Sequence, residues 1–195
     1  MGCGYKYLNG GPGAPAWLYV ARRHQDSVQP ALSGWFGHAR PFDFTDEYVP
    51  ATGIARFLCG TPPVLGLAAL ECGGDLMLEA DMAELRAKSV ALGELFAAKM
   101  APLCERYGFV LASPVDPAAR GSQISYVHHE AYAIVQALIA RGVIGDFRAP
   151  DILRFGLTPL YLRYAEVDRA VAILAEIMAT RDWDRPEYRV RAAVT

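Results

Sequence analysis

Met1-Gly2-Cys3-Gly4-Tyr5-Lys6-Tyr7-Leu8-Asn9-Gly10-Gly11-Pro12-Gly13 is the stretch from which the reading of the other 195-residue chain features follows. Lys6 stands between two tyrosines, with small residues before it and a Gly/Pro run behind it. Such wording suits a tight bend with little side-chain bulk and aromatic walls. Residue types alone leave two readings open. Lys6 can be a solvated loop lysine, as most lysines are, or an amine placed to join a flat cofactor covalently. Gly10-Gly11-Pro12-Gly13 lacks the lysine and hydroxyl that end a phosphate loop, so it does not indicate a nucleotide site.

Bulk properties narrow the class. Hydrophobic residues make up 53% and charged residues 21%, a folding composition for a chain long enough to bury a core. The net charge of −2 gives no electrostatic case for nucleic acid. No apolar run approaches membrane-spanning length, and the start shows no basic region followed by an apolar stretch. Cys3, Cys59, Cys72 and Cys104 are scattered without paired spacing, which points to reduced thiols in the cytoplasm, with Cys3 and Cys59 as small buried residues. His24, His38, His128 and His129 show no metal-ligand spacing, so no metal is expected.

The pattern along the chain predicts the elements. Ala16–Val20 reads as a short buried strand, followed by an aromatic loop around Ser33–His38, with nothing helical before residue 60. Pro62-Pro63 suit the first turn of a helix that Val64–Glu71 continues until Gly73-Gly74 stop it. Met82, Leu85, Leu92, Phe96, Met100 and Leu103 mark a long amphipathic helix over Asp81–Tyr107, kinked or ended early by Pro102. Strands follow at Phe109–Ala112 and Gln123–Val127, a helix at Glu130–Arg141, strands at Val143-Ile144 and Leu153–Leu157, and a helix at Tyr164–Thr180. The residues from Arg181 are expected to be peripheral. From about residue 76 this order describes a small α+β domain, and residues 1–75 read as part of a larger unit.

Four ordered stretches resemble the kynureninase family: the Lys6 segment, Leu32–His38, Arg56–Pro63, and Arg141–Tyr161. The resemblance covers nearly the whole chain and implies an α/β fold of the aminotransferase-like, fold-type-I class. Residues 1–75 would be the carboxyl-terminal part of the large pyridoxal-phosphate domain, and 76–195 the small α+β domain. It implies pyridoxal 5'-phosphate as cofactor and hydrolysis of L-kynurenine to anthranilate and L-alanine, a reaction of tryptophan catabolism. Lys6 would carry the cofactor as a Schiff base and take the substrate α-proton, and Tyr5 would touch the phosphate and donate a proton during carbon–carbon cleavage. Trp35 and Thr61 would hold the phosphate from the neighbouring subunit of a homodimer, and Arg154 would grip the substrate carboxylate. Read from residue types, Trp35 also suits a core and Thr61 a helix cap before Pro62. Arg154 lies in an apolar run where an unpaired charge is costly, and Arg148 reads as a loop ion pair. Gly60-Thr61 looks like the bacterial form of the family, which hints at kynurenine over 3-hydroxykynurenine.

The family's lysine lies midway along its chains, so the resemblance covers the carboxyl-terminal half only. The aspartate at the pyridine nitrogen, the stacking aromatic and the main phosphate loop have no counterpart here, and this chain alone is expected to be inactive. Two alternatives stay open. One is another pyridoxal-phosphate enzyme of the same fold, a desulfurase or aminotransferase, against which the Trp35 and Arg141–Tyr161 motifs argue. The other is a non-catalytic half that docks on a separate amino-terminal chain.

Overall fold

The computed structural model describes residues 1–191 and falls into two compact units, Met1–Glu79 and Ala80–Thr195. In the first, β1 (Gly2–Cys3) pairs antiparallel with β2 (Ala16–Trp17), Gly2 opposite Trp17 and Cys3 opposite Ala16, so that the Lys6 loop is closed at its base. The expected strand Ala16–Val20 is thus only two residues long, and both are exposed. Short helical pieces do occur before residue 60: α1 (Arg22–Gln25) and 3-10 turns at Trp35–Gly37 and Gly53–Phe57. Arg56 pins them. Its buried guanidinium donates to the Ala51 carbonyl at 3.0 Å, the Asp26 carbonyl at 2.9 Å and the Asp26 carboxylate at 3.3 Å.

Helix α2 (Val64–Leu78) runs straight through Gly73-Gly74 instead of stopping there. The reason is a contact remote in sequence. A Cβ on Gly73 would lie 2.0 Å from the Leu8 carbonyl oxygen, and one on Gly66 would lie 2.5 Å from that of Gly13. Leu70, between them on the same face, meets Gly4 and Gly10. Glycines cost the helix propensity, about 1 kcal/mol each relative to alanine, but they let the loop backbone lie against it.

The second unit has a conventional core. Helix α3 (Met82–Tyr107) is capped by the Asp81 carboxylate, which accepts from Ala83 N–H at 2.8 Å and Glu84 N–H at 2.9 Å. It continues past Pro102, because Phe96, Met100 and Leu103 are buried on both sides of the proline and hold the helix in place. Strands β3 (Val110–Leu111), β4 (Gln123–Val127), β5 (Asp146–Arg148) and β6 (Ile152–Gly156) form an antiparallel sheet in the order β3-β4-β6-β5. Ile124 faces Phe155 and Tyr126 faces Leu153 in the β4–β6 register, all four buried. The Phe96 ring, 4.9 Å from Phe155 and 6.1 Å from Tyr126, sets α3 on that face. Helices α4 (Ala131–Ala140) and α5 (Tyr164–Thr180) complete the core through Ile134, Leu138, Val171, Leu174 and Ile177.

Two further expectations fail in this unit. Val143-Ile144 is no strand: Val143 N–H is spent on the Leu138 carbonyl at 2.9 Å, closing α4 behind Gly142 at φ +81°, and the strand begins at Asp146 instead. The residues after Arg181 are not all peripheral. Trp183 is 8% exposed and belongs to the core, and α6 (Pro186–Arg189) carries Arg189 to Glu130 at 3.1 Å. Residues 192–195 of that expectation lie outside the described residues.

The units differ in how much apolar surface they bury. Every large apolar side chain in the buried core belongs to the second unit, beginning at Leu92. Met1–Glu79 leaves Tyr19, Leu32, Phe42, Phe44, Leu65 and Leu78 in the open, Leu65 at 89% exposure. Single exposed apolar residues are ordinary, but this density is not.

Gly73 and Gly74 give a direct test of the loop contact. A Cβ on Gly74 meets nothing within 4 Å, so Gly74→Ala is expected to be neutral or to stabilise by up to about 1 kcal/mol. Gly73→Ala is expected to push the loop off the helix and to speed tryptic cleavage after Lys6. Equal cleavage rates in the two variants would contradict the contact.

His128 gives a test in the second unit. Its ring is buried between Phe109 at 4.5 Å and His129 at 4.4 Å, with Nδ1 accepting from Glu130 N–H at 3.0 Å and Nε2 donating to the Tyr107 carbonyl at 3.1 Å. Burial, and then the neighbouring His129, holds its pKa below the ordinary histidine value, against the smaller opposing pull of the Tyr107 carbonyl and Glu130. Between the folded pKa and the unfolded value near 6.5 the unfolded chain therefore binds more protons. The stability it contributes is complete above about pH 6.5 and is lost as pH falls from there. Melting temperatures measured from pH 7.5 down to about 5.5 should fall, with a shallower slope in His128→Gln.

Candidate active site

The Lys6 loop owes its shape to its glycines and to a few backbone bonds. Gly4 N–H donates to the Pro15 carbonyl at 3.0 Å, and Gly10 N–H to the Gly4 carbonyl at 3.0 Å. Within this frame the chain turns at Lys6, whose carbonyl accepts from Asn9 N–H at 2.9 Å, with Asn9 in the left-handed region at φ 54°. The Lys6 side chain points outward, its Nζ 5.2 Å from the centroid of the Tyr5 ring. Among the described residues Lys6 has no carboxylate partner, and the Tyr5 hydroxyl has no hydrogen bond; Tyr5 is half-exposed, and so is Tyr7.

A second pair forms in the same unit. Trp35 heads the 3-10 turn between Gly34 and Gly37, and both glycines are required by close backbone. A Cβ on Gly34 would lie 1.7 Å from the Cys59 carbonyl oxygen, and one on Gly37 would lie 2.7 Å from that of Leu58. This approach sets the Trp35 indole Nε1 4.0 Å from the Cβ position of Gly60, next to Thr61. Trp35 is 46% exposed, so it is not a core tryptophan, although Phe36 and Phe42 pack edge-on against it at 4.8 and 5.9 Å. Thr61 is exposed and does not cap α2, whose N-cap is Pro63 without a side-chain bond. The indole N–H and the threonine hydroxyl have no partner among the described residues.

His38, beside Trp35, is fully occupied. Its Nδ1 accepts from Arg40 N–H at 2.9 Å, and Nε2 lies 3.2 Å from the Glu47 carbonyl and so carries the proton. It is a structural histidine that also lines a cavity of about 300 Å³ with Trp35, Phe44 and Tyr48. Cys59 is exposed and Cys3 half-buried, so neither is the small buried residue expected; the Cys59 thiol donates to the Leu32 carbonyl at 3.4 Å.

Arg154 lies in the second unit, on β6, an inner strand of the sheet. Its neighbours Leu153 and Phe155 point into the core, so Arg154 projects from the opposite face, with its side chain 31% exposed. The register places it between Ser125 of β4 and Asp146 of β5, and it is ion-paired with the Asp146 carboxylate. Arg148 reaches the same Asp146 oxygen at 3.1 Å, so it is a strand residue and not part of a loop. Asp146 was the residue that sequence reasoning missed; its spacing of two from Arg148 in a strand was the available signal.

These groups fit a flat, phosphate-bearing cofactor in kind. An amine without a carboxylate partner stands beside an aromatic ring, and two exposed neutral donors, the Trp35 indole N–H and the Thr61 hydroxyl, have no acceptor among the described residues. Among the described residues no cluster of three or more His, Cys, Asp or Glu side chains could hold a metal ion.

Residues 85–174 match the family model of the kynureninase C-terminal domain. The chain is similar over all 195 residues to kynureninase of Pseudomonas fluorescens, with 50% identity and 47% of that protein covered. Kynureninase of Burkholderia mallei (strain SAVP1) is 49% identical over the same span, also with 47% covered. Among solved structures, the apo cysteine desulfurase of Thermococcus onnurineus NA1 matches with a TM-score of 0.69 and 16% identity, over 87% of this chain and 45% of that one. A variant of C-DES carrying glycine covalently linked to its pyridoxal-phosphate cofactor matches with a TM-score of 0.64 and 21% identity, over 84% of this chain and 43% of that one. The structural likeness establishes the aminotransferase-like α/β fold. The chain spans about half the length of the curated kynureninases it matches, and over that length it is similar to their carboxyl-terminal half.

Proposed function

We propose that this chain supplies the lysine half of a pyridoxal-phosphate-dependent site that hydrolyses L-kynurenine to anthranilate and L-alanine. The observation that supports the reading is a pair of outward-facing groups in Met1–Glu79: the Lys6 amine over the Tyr5 ring with no carboxylate partner among the described residues, and the Trp35 indole, whose Nε1 lies 4.0 Å from the Cβ position of Gly60. The kynureninase relatives support the substrate, and the C-DES structure, whose name records the cofactor, supports the cofactor. Pyridoxal phosphate, when bound, supplies an electron sink for the carbon that loses its proton.

Each residue then has a task set by its chemistry. Lys6 would hold the cofactor through its amine, and that amine, when free, would take the α-proton of the substrate. Tyr5 holds a phosphate oxygen and donates the proton that the departing carbon requires. Trp35 and Thr61 donate to the phosphate from the neighbouring subunit of a homodimer. Arg154 takes the substrate α-carboxylate in a two-pronged grip, displacing Asp146 from its guanidinium. The small pair Gly60-Thr61 favours kynurenine over its 3-hydroxy relative. A cytoplasmic setting suits the free thiols.

The 195 residues by themselves are proposed to be inactive, because the remaining half of the relatives' length would bring the partner of the pyridine nitrogen and the main phosphate loop. The exposed apolar side chains of Met1–Glu79 favour a companion reading, in which this unit works only when docked on such a polypeptide.

Co-expression with the amino-terminal half of a close relative tests the proposal. Fluorescent anthranilate should form from kynurenine in the mixture and not from this chain alone. Lys6→Ala should abolish it, and Arg154→Lys should raise KM about ten- to a hundredfold, the loss of a charged two-pronged contact. Turnover of cysteine with none of kynurenine would overturn the substrate, and full activity of Lys6→Ala would overturn the site.

A further inference from the structure

The second unit contains a groove that the proposed reaction does not use. It has a volume of about 370 Å³, within the range of roughly 300–1,000 Å³ usual for small-molecule sites. Its floor is the core itself: Phe96 of α3, Phe155 at the end of β6, and Val167 of α5, all buried. Ile144 and Ile173 form its rim, with Ile144 almost wholly exposed. Gly142 and Gly156 in its wall leave space, since a Cβ on either would meet nothing within 4 Å.

The charges around the groove are unequal. Arg141 is balanced by Glu176 at 2.7 Å. Glu166 is balanced by Arg163, which donates to it through the backbone N–H at 2.8 Å and the guanidinium at 3.0 Å. Asp168, beside the groove, is taken by Lys99 at 2.9 Å. Arg169 remains, lining the groove with no carboxylate partner among the described residues. The groove therefore combines apolar walls with one uncompensated positive charge.

We infer that this groove between α5, the end of β6 and the loop after α4 binds a small amphipathic monocarboxylate. Its apolar or aromatic body lies over Phe96 and Phe155, and its carboxylate meets Arg169. The guanidinium is suited to this role because its planar donors match the two oxygens of a carboxylate. A neutral molecule of the same shape would gain the walls but not the charge.

Titration of the full chain with 3-phenylpropionate, followed by heteronuclear NMR, tests this, with the uncharged 3-phenylpropanamide as control. Shifts at Ile144, Leu157 and Ala170 are expected, with the carboxylate binding at least about tenfold more tightly than the amide. Arg169→Glu, at an exposed position, should remove that difference, and Arg169→Lys should keep most of it. Ala170→Trp, which fills the groove, should abolish binding of both compounds while signals elsewhere stay unchanged. No shifts, shifts confined to residues outside the groove, equal affinity for the two compounds, or an unchanged preference in Arg169→Glu would each overturn the inference.

Discussion

The Leu8 carbonyl oxygen occupies the place where a side chain on Gly73 would begin, and the first unit depends on that contact. Two glycines and a leucine on one face of α2 let the loop from Gly4 to Gly13 lie with its backbone against the helix. The loop then needs few hydrogen bonds of its own, and Lys6 can be held at a turn with its side chain free. The same device recurs at Gly34 and Gly37, where the backbone of Arg56–Cys59 lies too close for any side chain, and there it orients Trp35. In both places glycine trades intrinsic propensity for backbone approach, and in both the side chain so positioned faces outward.

The two units divide the work of stability and chemistry unequally. Between Ala80 and Arg191 the chain is tied together largely within itself: Asp81 and Gly108 cap α3, Arg189 ties α6 to Glu130, and the three long helices share one core with the inner strands, leaving the buried Trp183 indole N–H as the side-chain donor without a partner among the described residues. Met1–Glu79 has the opposite character. Its one buried charged side chain, Arg56, is spent on holding turns together, and its large apolar residues face outward. A segment that buries so little cannot offset much of its conformational entropy by itself.

Legibility in the sequence followed the range of the interactions. Strand Gln123–Val127 and helix Tyr164–Thr180 were readable to the residue, because alternation and a 3.6-residue period are local signals. Gly73-Gly74 was misread as a helix stop because the local rule is sound, and the contact that overrides it comes from Leu8. Val143-Ile144 has strand-forming residues, but its backbone is committed to closing α4. Trp183 sits in a charged tail whose composition hides one core residue. Among the candidate residues, Lys6, Tyr5, Trp35, Thr61 and Arg154 follow from motif resemblance, whereas Asp146 carries only the faint local signal of its two-residue spacing from Arg148, and the β5–β6 register is what sets it opposite Arg154. A strand pairing of that kind is not written in any short motif.

The central claim concerns one amine, and the chain offers an internal control, since its other lysines are Lys88 and Lys99. Lys99 is engaged by Asp168, whereas Lys6 has no carboxylate partner among the described residues. Borohydride reduction of the purified chain with pyridoxal phosphate, followed by peptide mass mapping, reads the claim directly. The account predicts a phosphopyridoxyl mass gain concentrated on the peptide that contains Lys6. Labelling equal to that of Lys88 and Lys99, or none at Lys6, would contradict it.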